Sequence, residues 1–216
     1  MLRAVVLTAL ITLALAAPAS ASEWAHPVNI VTIHAKPDAG AKRVGTTHLV
    51  TEDERAEVYL VIATKGDDWV RIRIPGRPNG RTGWVRRTAL GPINRVSTRI
   101  VVDRRSATLT LTDGGKTRLK VRVGVGKPST PTPSGHFWVR EKLRFKHAPA
   151  YGRHALGTAA YAKLSDWPGG GVVGIHGTSE PNLIPGRPSH GCVRVRNADM
   201  ARLYKLTPVG TPIEIR

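Results

Sequence analysis

The chain holds a single thiol, Cys192, at the end of the run Ser189-His190-Gly191-Cys192. A thiol with an ordinary pKa near 8.5 is mostly protonated at neutral pH; it becomes a nucleophile when a histidine takes its proton or pairs with its thiolate. Two histidines qualify. His176 opens the step His176-Gly177-Thr178, and the Pro- and Gly-rich stretch of twelve residues before Ser189 is long enough to fold back onto Cys192. His190 stands two residues from Cys192, on the same face of an extended segment, but so short a tether limits alignment. Gly191 lacks a Cβ, so the backbone there can come close to a reacting carbonyl. The N–H groups of Gly191 and Cys192 could then serve the oxygen that becomes negative, at about 2.7–4 kcal/mol per donor. The chemistry predicted is acyl transfer through a cysteinyl thioester. A zinc site of His176, His190 and Cys192 is the rival. No H-x-x-x-H or C-x-x-C pair supports it, and a fourth protein ligand is not evident. No metal and no cofactor is expected.

His176-Gly177-Thr178 followed by Ser189-His190-Gly191-Cys192-Val193-Arg194 closely resembles the motif of L,D-transpeptidases of the YkuD type. Gly124 to Phe137 is similar to the family's substrate-facing segment with its Thr-Pro-Thr-Gly-x-Phe core, Ser134 replacing the second Thr. Asn197-Ala198-Asp199 and Val209-Gly210-Thr211-Pro212-Ile213 fit as well, so the resemblance runs from about Ser97 to Arg216. It implies an enzyme that remodels peptidoglycan, its cysteine attacking the L,D bond of a tetrapeptide stem and releasing D-alanine. An amine of a second stem then resolves the thioester into a 3–3 crosslink. On that pattern Cys192 is the nucleophile, His176 the general base and acid, and Gly191 and Cys192 supply the oxyanion donors. Arg194 steadies an anionic group of the donor stem, while Ser189 and His190 shape the site. The group that orients His176 is either the Gly177 carbonyl or Thr178. Water as acceptor would give an L,D-carboxypeptidase or endopeptidase on the same scaffold. A wall-binding protein without catalysis is the alternative from another class.

The elements that must position these residues read as mainly β. Val58 to Ile62 and Trp69 to Ile74 read as strands, with turn signals at Lys65-Gly66-Asp67-Asp68 and Pro75 to Gly80. With Gly83-Trp84-Val85 they suggest a small barrel over 28–90 that resembles bacterial SH3-like domains. A linker follows at 91–96, then a β-rich catalytic domain over 97–216 with a few short helices. There Ile100 to Asp103, Ala107 to Leu111 and Leu119 to Val125 read as strands, Asn197 to Leu206 as a helix, and Ile213 to Ile215 as a last strand. His136 and Tyr161 are expected near the cleft, Trp138 and Trp167 in packing. The two modules are expected to be separable, the first aiding wall retention and the second active alone on soluble stems.

Residues 1–21 read as a signal peptide: Arg3, the uncharged run Ala4 to Ala17, and a small-residue site ending at Ala21. Export to the periplasm, cell wall or extracellular space is expected, with no integral membrane segment after cleavage. Thirty-three Lys and Arg against 15 Asp and Glu give a net charge of +18. For an exported chain the polyanions met first are wall polymers rather than nucleic acid, and no aromatic platform is interleaved with the basic residues. Arg71, Arg73, Arg77, Arg81, Arg86 and Arg87 crowd one end of the first module, either as a face for an anionic wall polymer or as ordinary solvated arginines.

Overall fold

The computed structural model describes residues 21–164, 166 and 168–216. The expected signal peptide, apart from Ala21, and Trp167 lie outside the described residues. Strands β1 (Ser22–Ala25), β2 (Thr32–His34), β3 (Arg43–Thr46), β4 (Tyr59–Lys65), β5 (Trp69–Arg73), β6 (Thr82–Arg86) and β7 (Asn94–Val96) form one sheet. Its order is β3-β2-β6-β5-β4-β1-β7, antiparallel throughout. These runs become β4 and β5, of which Tyr59, Val61, Val70 and Ile72 join Ile33 and Val85 in one core. The boundaries differ from the expected ones. The sheet starts at Ser22, and Asn94–Val96, expected as linker, pairs with β1 because that strand's outer edge needs backbone partners.

The arginines at the end of this module are largely engaged within the protein. Arg87 donates to the carbonyls of Leu90 and Gly91, Arg81 to those of Arg77 and Val44, and Arg71 to Thr82. Arg86 lies over the Trp69 ring and faces Asp68, and Arg77 reaches the second module. Solvated, locally bonded arginines describe this face better than a free polyanion platform.

The second sheet contains β8 (Thr98–Asp103), β9 (Thr108–Asp113), β10 (Lys116–Gly126), β11 (Gly135–Arg144), β12 (His154–Tyr161), β13 (Val172–His176), β14 (Gly186–Ser189), β15 (Val193–Val195) and β16 (Pro212–Ile215). The order is β14-β10-β15-β13-β12-β11-β16-β8-β9, and β9 also pairs with β10, so the sheet closes on itself. The helix α1 (Asn197–Leu206) buries Met200 and Leu203 against it. Strands β8 to β10, β16 and the helix match their expected positions. Strands β11 and β12 carried no alternating signal. Ala155 to Ala160 are all buried, and a strand covered on both faces loses its period of two.

The two sheets share a core of Val58, Leu60, Trp138 and Ala159, with Trp24 and Val209 against it. Trp138 Nε1 donates to the Val58 carbonyl at 2.6 Å. Beside it Arg140 and Glu57, 3% and 1% exposed, form a bidentate ion pair, with Arg140 Nε 2.8 Å from Glu57 Oε1. Arg140 Nη1 also donates to Glu52 at 2.8 Å and to the Tyr161 hydroxyl at 3.2 Å, and that hydroxyl donates to Glu52. Burial disfavours the guanidinium charge, and the Glu57 carboxylate more than offsets it, so the Arg140 pKa is raised. Separability is therefore not what this interface supports: removing the first module strands a buried cation and uncovers apolar surface.

Breaking one side of a buried pair costs about 3–5 kcal/mol, because the other charge is left uncompensated. Glu57→Ala should lower stability by about that amount in urea unfolding, and Arg140→Met added to it should recover part of the loss. A Glu57→Ala midpoint equal to wild type would show that the pair does not hold the modules together.

Candidate active site

Strand β13 runs parallel to β15, with Ile175 opposite Val193 and His176 opposite Arg194. That register sets Gly174 beside Cys192, whose Sγ accepts the Gly174 N–H at 3.4 Å. Gly174 and His176 share a face of β13. A Cβ on Gly174 would stand 3.6 Å from His176 Cδ2, so this glycine keeps the face under the imidazole bare. Cys192 and His176 line the same two cavities.

His176 is buried, and its Nδ1 bonds the Gly177 carbonyl at 2.6 Å. A carbonyl only accepts, so Nδ1 carries the proton and Nε2 is left as the base. Of the two possible orienters the Gly177 carbonyl is the one engaged. Thr178 instead accepts from the Glu180 N–H, and its own N–H goes to Asn197 Oδ1 at 2.9 Å. Gly177 is glycine for space, since a Cβ would lie 2.2 Å from Asn197 Oδ1 and 3.0 Å from the Tyr151 carbonyl. The Tyr151 ring meets the imidazole edge-on, 4.8 Å between centroids.

Burial holds the His176 pKa down at about 4, with the Arg194 charge adding to it against the Gly177 hydrogen bond. Burial likewise pushes the Cys192 thiol up, against the Gly174 N–H and Arg194. Both effects disfavour charge, so near pH 7 the pair stands as neutral thiol and neutral imidazole.

The cysteine turn is set by Ser189. Its buried hydroxyl donates to the Cys192 carbonyl at 2.6 Å and accepts the Gly191 N–H at 3.2 Å. The Gly191 N–H, expected as an oxyanion donor, is thus spent within the turn in this conformation. Gly191 is required for other reasons: its φ is +137°, and a Cβ would stand 2.9 Å from Ala162 Cβ. Arg194 lines the smaller cavity and is paired with Glu180 at 2.6 Å. His190 is exposed and lines the same cavity.

The sequence model of the YkuD family, described as the L,D-transpeptidase catalytic domain, matches residues 97–215. The chain belongs to the YkuD family. Bacillus subtilis YkuD is 31% identical over 116 residues, covering 54% of this chain and 64% of its own length. A Fuscovulum blasticum relative is 34% identical over 108 residues, 49% of this chain and 51% of its own. The chain thus spans less than two thirds of these curated relatives. Among solved structures, L,D-transpeptidase 3 of Mycobacterium tuberculosis, in complex with a faropenem-derived adduct, superposes with a TM-score of 0.50 at 12% identity. It covers 88% of this chain and 98% of that one, a likeness of fold.

Within this YkuD domain two expectations fall elsewhere. The Gly124–Phe137 segment, expected to face substrate, buttresses the motif from behind: Gly126 is paired with Ser189, and Lys127 N–H donates to the Ser189 carbonyl at 2.9 Å. No residue of it lines either cavity at Cys192. His136 lines a separate cavity of about 480 Å³ with Arg73, Arg99 and Glu214, and Tyr161 turns its hydroxyl to Glu52 and Arg140. Sequence reading missed Gly174, Tyr151 and Ala162, which carry no reactive group, and Asp53 and Glu141, which lie far from the motif in the chain. Among the described residues no group of three His, Cys, Asp or Glu is placed to hold a metal ion.

A neutral pair has a plain signature. Below the thiol pKa, alkylation of Cys192 by iodoacetamide should rise about tenfold per pH unit from pH 6 to 9, following the thiolate fraction. A flat rate between pH 5 and 8 would instead reveal a standing thiolate–imidazolium pair.

Proposed function

We propose that the chain is a peptidoglycan L,D-transpeptidase working through a thioester on Cys192. The observation that carries this reading is that Cys192 and His176 line the same two cavities, with the His176 tautomer set by the Gly177 carbonyl. On this reading His176 Nε2 takes the thiol proton as sulfur attacks the carbonyl carbon of the donor stem. The Cys192 N–H serves the developing oxyanion. Collapse breaks the C–N bond, and the imidazolium gives its proton to the departing D-alanine amine. A neutral amine of the second stem then attacks the thioester. His176 accepts that amine's proton and returns it to the leaving thiolate, which restores the starting state.

The larger cavity favours an amine over water as acceptor. It holds about 240 Å³ and is lined by Asp53 and Glu141 as well as Cys192, two acids in a strongly basic chain. Burial raises the Glu141 pKa to about 7, with the Asp53 charge adding to it and the Thr51 hydrogen bond opposing. An incoming ammonium would be drawn there, and the Glu141 carboxylate can take the proton it must lose before the neutral amine attacks the thioester. Hydrolysis to an L,D-carboxypeptidase or endopeptidase outcome would gain nothing from those acids.

Export by the signal peptide places this activity at the wall in the same proposal. The first module is read as an SH3-like domain that keeps the enzyme there, with anionic wall polymers drawn by the +18 charge.

Intact-protein mass after incubation with a disaccharide tetrapeptide stem tests the central claim. An adduct on wild type, absent from Cys192→Ala and converted to a crosslinked dimer by an acceptor stem, is the expected result. Release as tripeptide alone would make the chain a hydrolase, and binding to sacculi without any adduct would favour the wall-binding protein. Glu141→Gln should shift product from dimer toward tripeptide while leaving adduct formation within about twofold of wild type.

A further inference from the structure

The turn between β5 and β6, Pro75 to Arg81, leaves the first sheet and reaches the catalytic module with two polar side chains. Arg77 donates from Nε and Nη2 to the Ala162 carbonyl at 3.2 and 2.8 Å, from Nη2 to that of Leu164 at 2.8 Å, and from Nη1 to that of Gly170 at 2.8 Å. Its guanidinium also lies 5.2 Å from the centre of the Tyr161 ring. Asn79 reads the strand just before: its Nδ2 donates to the Tyr161 carbonyl at 2.9 Å, and its Oδ1 accepts the Tyr161 N–H at 3.0 Å.

These carbonyls belong to the two legs of one loop. Ala162 N–H donates to the Gly171 carbonyl at 2.8 Å and closes the loop's neck, where the guanidinium sits. A Cβ on Gly171 would stand 2.5 Å from Arg77 Nη2, so the neck is tight around it. Three carbonyl oxygens converging on one point repel one another unless a cation with diverging donors lies between them. A planar guanidinium fits that need and a lysine ammonium does not, because its three donors leave a single nitrogen.

The other side of the same loop faces the reacting thiol. Ala162, Leu164 and Gly171 line the cavity of about 100 Å³ that holds Cys192 and His176. Ala162 also stands against Gly191, in the cysteine turn. Arg77 contributes nothing to the apolar core between the modules, which rests on Trp138 and the Arg140–Glu57 pair. Its bonds to the second module go to loop backbone alone.

We propose that Arg77 is a positioning residue for acylation: supplied by the first module, it holds Ala162, Leu164 and Gly171, which line the pocket at Cys192, and so decides which acyl donors reach the thiol. The first module then completes the site rather than merely accompanying it. The effect on stem acylation rests on the transpeptidase reading, whereas the effect on pocket shape does not.

The test uses the full mature chain as wild type, Arg77→Ala and Arg77→Lys. Cys192 is the sole thiol, so alkylation reports this pocket alone. Rates are compared for a small electrophile, iodoacetamide, and a bulky one, fluorescein maleimide, alongside kcat and KM for the tetrapeptide stem and the melting temperature. In Arg77→Ala the bulky-to-small rate ratio should rise at least about fivefold while kcat/KM for the stem falls about tenfold, as a loosened wall misplaces the donor. The small-electrophile rate and its pH dependence should stay at wild-type values, and Arg77→Lys should not rescue. An unchanged ratio and unchanged kcat/KM would overturn the proposal. So would both alkylation rates rising together with a lowered melting temperature, the mark of general loosening. A lysine variant equal to wild type would remove the need for the guanidinium fork. If wild type itself forms no adduct with any stem, the transpeptidase reading fails and the alkylation ratio still decides the role of Arg77.

Discussion

Parallel pairing of β13 with β15 sets Ile175 against Val193 and His176 against Arg194, and the rest of the site follows from that register. It brings the Gly174 N–H to Cys192 Sγ and places the imidazole over the glycine's bare face. A slip of one residue would turn every side chain of β13 to the opposite face and separate the histidine from the thiol. The pairing is held from both sides. Strand β12 lies against β13, and β10 flanks β15 while also gripping the Ser189 strand through Gly124 and Gly126. The Pro- and Thr-rich segment after β10 thus serves the chemistry by fixing backbone.

The electrostatics share one cause. Both partners of the Cys–His pair are withdrawn from water, and Arg194 disfavours a second positive charge on the imidazole. Both groups therefore rest neutral near pH 7. The Gly177 carbonyl does the remaining work: it accepts from Nδ1 and leaves Nε2 as the base without introducing a carboxylate.

The two modules are joined by groups that belong to the site as much as to the interface. Thr51 bonds Glu141, Asp53 lines the larger cavity, and Arg77 and Asn79 hold the segment that walls the smaller one. Behind them the Arg140–Glu57 pair is too deeply buried to be left half-made. A mainly β fold with two cores is thereby made to act as one unit around Cys192.

What the sequence determined by itself was local. The lone thiol, the glycine before it and the histidine upstream stand in an order whose chemistry can be read from residue types and spacing. Strands with one solvated face, such as β5, β8 and β9, announced themselves by alternation, and α1 by its helical period. Strands β11 and β12 did not, because long runs of them are buried on both faces and lose the alternation. Tertiary structure alone decided which carbonyl orients His176, where the Gly191 N–H points, that Asp53 and Glu141 line a cavity with Cys192, and that Arg77 braces residues lining the other. Those outcomes depend on pairings between residues as much as 93 positions apart, such as Arg77 with Gly170, and no local pattern encodes such a distance.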